Sequence, residues 1–83
     1  MKIIQHDERV SILPFGGENG ITVYHPYKKK DKAYQATIAW GSWSDITVEK
    51  AESFFFGLQK AIDVAIELNN KFLKDNNLSN FPE

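Results

Sequence analysis

One change of period constrains this chain more than any other feature. Up to about residue 40 the apolar side chains tend to alternate with polar ones, and from residue 47 to about residue 74 they recur at helical spacing with no proline between them. The second stretch carries its own start and stop signals. Thr47 is placed to cap a helix with its hydroxyl, and Ile46 before it can pack on Ala51. Glu49 and Glu52 fall in the first turn and Lys71 and Lys74 in the last, the charge order that the helix dipole favours. A helix from Thr47 to about Lys74 is roughly 40 Å long, against roughly 25 Å for an eight-residue strand, so its final turns either fray or overhang any sheet beneath it.

The first half supplies that sheet. Strands are expected at about residues 2–6, 9–14, 20–25 and 33–40. Asp7-Glu8 suits a tight turn between the first two, an uninterrupted bent strand being the alternative. The segment 14–20 concentrates Pro, Gly and Asn and must be a loop. From Ala33 to Trp40 the alternation puts Tyr34, Ala36, Ile38 and Trp40 on one face, expected to be the core face. Pro26 to Lys32 is too polar to bury and reads as the tip of a hairpin. The expected fold is therefore α+β: an antiparallel meander of three or four strands with one long C-terminal helix packed on one face (β-β-β-β-α). It forms a single domain over residues 1–83 with a loose tail at 75–83, because 83 residues leave no room for a second core.

Composition removes several classes of function. The chain has no cysteine, so neither a disulfide framework nor a thiolate metal site is available, and a reducing, cytoplasmic setting is expected. Its first residues, MKIIQHDERV, lack the apolar stretch of a signal peptide, and no apolar run approaches the roughly 20 residues that cross a bilayer. A formal charge of −1 with 42% hydrophobic residues fits a folded globule and opposes a dedicated nucleic-acid coat.

No catalytic or metal-binding constellation is found, and no cofactor is expected. His6 and His25 sit in different strands, and adjacent residues of His6-Asp7-Glu8 would point to opposite faces, so an exposed polar turn accounts for them better than a metal or acid–base site. FGGENG lacks the Lys-Ser/Thr of a phosphate loop and joins two strands. A phosphate site at residues 42–47 would meet the negative charge of Asp45, Glu49 and Glu52.

Two surfaces remain. Tyr24, Tyr27, Lys28, Lys29, Lys30 and Lys32 combine rings and positive charge, as single-stranded nucleic-acid binders do. Solubility and edge protection at an exposed hairpin tip explain the same lysines more simply. On the helix, Phe54, Phe55, Leu58, Ile62, Ala65, Ile66, Phe72 and Leu73 form the expected core stripe. Gly57, Ala61, Val64 and Leu68 form a second ridge, with Phe56 on the polar side nearby. Glycine in a helix costs up to about 1 kcal/mol unless a close contact offsets it, so this ridge is expected to meet a second helix, in a homodimer or a protein partner. Packing under the chain's own N-terminal strand or tail is the competing account.

The run Thr47, Glu49, Ala51 resembles helix starts in small strand-rich modules such as HicB-type antitoxins and small phage-encoded inhibitors. That pattern is general capping chemistry and assigns no family. Richness in Lys, Asn and Ile is compatible with an AT-rich bacterial or phage genome. The expected function is a small non-enzymatic interaction or regulatory module acting through a protein partner or self-association, with nucleic-acid binding by the hairpin as the alternative.

Overall fold

Backbone pairing in the first half follows the alternation of β-branched side chains, and the 28-residue helix then lies across one face of the resulting sheet. The computed structural model describes residues 1–14, 20–41 and 46–81. Strands β1 (Lys2–Gln5) and β2 (Arg9–Leu13) form a hairpin whose turn carries Asp7 and Glu8, closed by the His6 N–H donating to the Arg9 carbonyl at 2.8 Å. β3 (Ile21–Tyr24) pairs antiparallel with β2. The chain then makes a separate hairpin from β4 (Tyr27–Lys29) and β5 (Lys32–Tyr34), and returns as β6 (Thr37–Trp40) on the free side of β3. The main sheet has the order β1-β2-β3-β6, so the expected α+β meander is the fold.

Its strand 33–40, however, is two strands. The Ala36 N–H donates to Asn69 Oδ1 on the helix at 2.7 Å, which takes that residue out of any ladder and breaks the strand at Gln35-Ala36. Tyr34 consequently leaves the core face and belongs to the small hairpin. The expected loop at 14–20 and the turn into the helix include residues 15–19 and 42–45, which lie outside the described residues.

The register sets Val10 opposite Val23 and Val23 opposite Ile38, and likewise Ile12, Ile21 and Trp40 in a row. These rows share one face, and Ile12, Ile21 and Val23 are fully buried there. Helix α1 (Val48–Asp75) covers them, capped by Thr47 Oγ1, which accepts from the Lys50 N–H at 3.2 Å. At the other end Leu78 N–H donates to the Leu73 carbonyl at 2.8 Å and Asn77 N–H to the Lys74 carbonyl at 3.3 Å. These two bonds make a Schellman closure, with Asn77 in the left-handed region at φ 54°. The tail expected to be loose is tied back as far as Phe81, whose ring stacks on Phe72 with centroids 5.6 Å apart.

The helix is rotated relative to the sequence expectation. Gly57, Ala61 and Ala65 are its buried residues, and Phe54, Leu58, Val64 and Leu68 pack beside them against the sheet. The ridge Gly57, Ala61, Val64, Leu68 that was expected to meet a partner is thus the contact between the helix and its own sheet. What offsets the glycine is the close approach of Pro14, just after β2, and of Ile21 in β3. A Cβ on Gly57 would stand 2.6 Å from Pro14 Cγ and 3.2 Å from Ile21 Cδ1, and a proline ring has little freedom to withdraw. Gly57→Ala gains up to about 1 kcal/mol of helix propensity but forces an overpacked contact costing about 1–3 kcal/mol. The variant is therefore expected to show a lower denaturation midpoint than wild type in urea; an unchanged or higher midpoint would show that the helix can lift off the sheet freely.

Candidate functional site

With Ala61 facing the sheet, Phe55, Ile62 and Ile66 fall about a quarter to two-fifths of a turn away around the helix, on its side rather than on the sheet. The direction is fixed by two contacts on the same flank. Phe54 meets Trp40 edge-on at 6.4 Å, and Asn69 reaches Ala36, so the flank looks out over β6 and the helix runs antiparallel to that strand. Phe55 is 62% exposed, Ile62 39%, Ile66 53% and Trp40 54%. Together they make an apolar surface along one edge of the molecule, of the kind that marks contact sites on small soluble domains. Phe56, also expected at a partner surface, is exposed further round the helix, with its ring edge-on to Phe55 at 5.9 Å.

Sequence reasoning assigned Phe55, Ile62 and Ile66 to the core and so missed this flank. A signal was present. Gly57, Ala61 and Ala65 recur every four residues, and small residues at that spacing mark the side on which a helix approaches a β-branched sheet face most closely. The wide apolar arc had to be split around them.

The lysine-bearing hairpin is a second surface. Tyr27 and Tyr34 stack with centroids 4.9 Å apart and planes at 18°, and Lys32 Nζ lies 6.0 Å from the Tyr34 ring centre. Alternation puts Lys29 and Lys32, an opposed pair, on the same face as the two rings, while Lys28 shares the other face with buried Ala33. Lys30 occupies the turn at φ 57°. Of the residues expected to act together, Tyr27, Lys29 and Lys32 share a face, and Lys28 and Lys30 do not join it. Tyr24 stands on the sheet's open face, opposite Arg9 and Thr37. It meets Tyr27 only in an open cleft of about 650 Å³, lined also by Arg9, His25 and the acidic Asp7 and Glu8. The His25 Nε2 is buried there without a hydrogen-bond partner among the described residues.

Among the described residues no group of three or more His, Asp or Glu could hold a metal ion, and no helix is long and apolar enough to cross a membrane. The class that fold and surfaces define is a small α+β domain, a four-stranded antiparallel sheet under one helix with an open apolar flank. No protein-family model matches the chain, and neither a curated protein nor a solved structure matches it.

The rotation of the helix can be read out by neighbouring substitutions. Val64→Glu places a charge against the partly buried core margin and is expected to cost about 1–3 kcal/mol. Ile62→Gln, two residues earlier, changes a side chain 39% exposed on the open flank and, measured in dilute solution, should cost less than Val64→Glu. Chemical denaturation of the two variants checks this, and the reverse ranking would place the helix the other way round.

Proposed function

We infer that this chain is a small non-enzymatic interaction module that acts in the cytoplasm through a protein contact, either with a partner or with another copy of itself. The observation that carries this reading is the apolar flank of Trp40, Phe55, Ile62 and Ile66 beside the β6 edge. Exposing large side chains there costs free energy that a contact would recover, at about 1.5–3 kcal/mol for each side chain fully buried. A regulatory role, in a bacterial or phage setting, is compatible with a domain of this size and composition. The test is site-specific photo-cross-linking in expressing cells, with a benzophenone side chain at position 55 and, as control, at Lys60 on the polar side of the helix. A discrete covalent product from position 55 alone is expected, and equal or absent products from both positions would remove the proposal.

A second reading is favoured by the stacked Tyr27 and Tyr34 rings flanked by Lys29 and Lys32 on one hairpin face. Such a surface suits bases of single-stranded nucleic acid, with stacking on the rings and phosphates near the lysines. On this reading a labelled single-stranded oligonucleotide binds at low salt, and its affinity falls as salt rises through counterion competition. The Lys29→Glu/Lys32→Glu variant should then lose most of the binding, whereas binding that ignores both salt and the two lysines would dismiss the hairpin as its site.

A further inference from the structure

We propose that the contact is homotypic: two copies join edge to edge through β6, making one continuous eight-stranded sheet with both helices on the same side. This rests on the reading of the flank as a protein-contact surface and names the occupant.

Three observations favour a second copy over an unrelated partner. The first is the edge itself. β6 (Thr37, Ile38, Ala39, Trp40) is an outer strand with no charge and no proline, and among the described residues nothing pairs with its free side. Exposed edges usually carry a lysine, a proline or a bulge to prevent pairing. Here the opposite edge strand, β1, begins with Lys2, and β6 has no such protection.

The second observation is charge. A symmetric contact sets each central residue near its own copy, so any charge on the patch would meet a like charge. Trp40, Phe55, Ile62 and Ile66 carry none, and the nearest charges on the helix, Glu52 and Asp63, stand at the outer border of the flank, where Asp63 accepts from Gln59 Nε2 at 3.4 Å. A heteromeric surface has no need of such neutrality.

The third is size and shape. The exposed parts of Trp40, Phe55, Ile62 and Ile66 amount to about 450 Å² per copy, and the strand edge adds to this, which brings the pair to the roughly 1,000 Å² that a specific interface needs. The helix packs chiefly on β3 and about equally on β2 and β6. After edge pairing the two helix axes would therefore stand about three strand spacings apart, roughly 14 Å, where helices in direct contact stand 8–10 Å apart. Large side chains are required to fill that difference, and the flank presents Phe55, Ile62 and Trp40 in that space.

The pairing has a definite register. A two-fold axis perpendicular to the sheet keeps core faces aligned only when residues of like parity stand opposite. Centring on Ala39 sets Ala39 against its own copy and Ile38 against Trp40 of the second copy, an aromatic and β-branched pair of the favourable kind.

The experiment uses the whole chain. Light scattering on the wild type at tens to hundreds of micromolar is expected to give twice the 9.5 kDa chain mass, falling towards the monomer on dilution. Ile62→Glu is expected to stay monomeric while keeping the wild-type circular dichroism spectrum. Because the chain has no cysteine, a single introduced thiol reports the register. Ala39 is exposed, and directly opposed antiparallel residues stand within reach of a disulfide, so Ala39→Cys should oxidise quantitatively to a covalent dimer while Gln5→Cys on the β1 edge does not. A wild type that is monomeric throughout, or a dimer that survives Ile62→Glu and cross-links no better from position 39 than from position 5, overturns the proposal. A monomer that nevertheless cross-links from position 55 to another protein in cells overturns self-pairing and leaves the interaction reading standing; no cross-link at all removes both.

Discussion

The close approach of the helix to the sheet at Gly57, Ala61 and Ala65 is the contact on which the rest of the structure depends. These residues bring nothing larger than a methyl group to the contact, so the helix backbone descends onto Ile12, Ile21 and Val23 and removes them from water completely. A 9.5 kDa chain buries a modest share of its surface and here has no disulfide to help it, so dense packing at this one layer has to supply most of the stabilisation. Asn69 and Thr47 then fix the helix along its axis, the first by accepting from Ala36 and the second by capping the start.

Width decides what remains outside. A helix with its side chains is about 10 Å across, while four strands span about 15 Å between the outer axes, so one helix cannot cover the whole sheet face. It sits over β3 and reaches β2 and β6, leaving Ile3 of β1 and Trp40 at the other margin each about half in water. The two margins differ in kind. Beside β1 the helix presents Lys60, Glu67 and Lys71, whereas beside β6 it presents Phe55, Ile62 and Ile66, and that difference is why only the β6 margin reads as a contact surface. The small hairpin answers to a different force. Apart from Ala33 its residues are exposed, and the stacked Tyr27 and Tyr34 rings provide its own local cohesion.

The fold class was legible because two periods, two and 3.6, do not mimic each other over many residues, and because Thr47, Glu49 and Lys74 mark the helix ends by chemistry that acts within one turn. The meander followed from connections too short to cross the sheet. Local patterning also showed that Tyr27 and the lysines lie in an exposed hairpin. It could not show which side of the helix lies on the sheet: the apolar arc from Phe54 to Leu73 is wider than the sheet can cover, and the rotation within it depends on steric fit against Pro14 and Ile21. That fit joins residues more than thirty positions apart and leaves no periodic trace. The same holds for the break at Ala36, where a side chain from the helix takes an N–H that alternation alone assigns to a strand. Sequence by itself therefore determined the elements, their order and their polarity, since those are set by near neighbours along the chain. Only the tertiary structure decided that Gly57, Ala61, Val64 and Leu68 are inside and that Phe55, Ile62 and Ile66 are out, because that choice is made by the shape of the surface the helix meets.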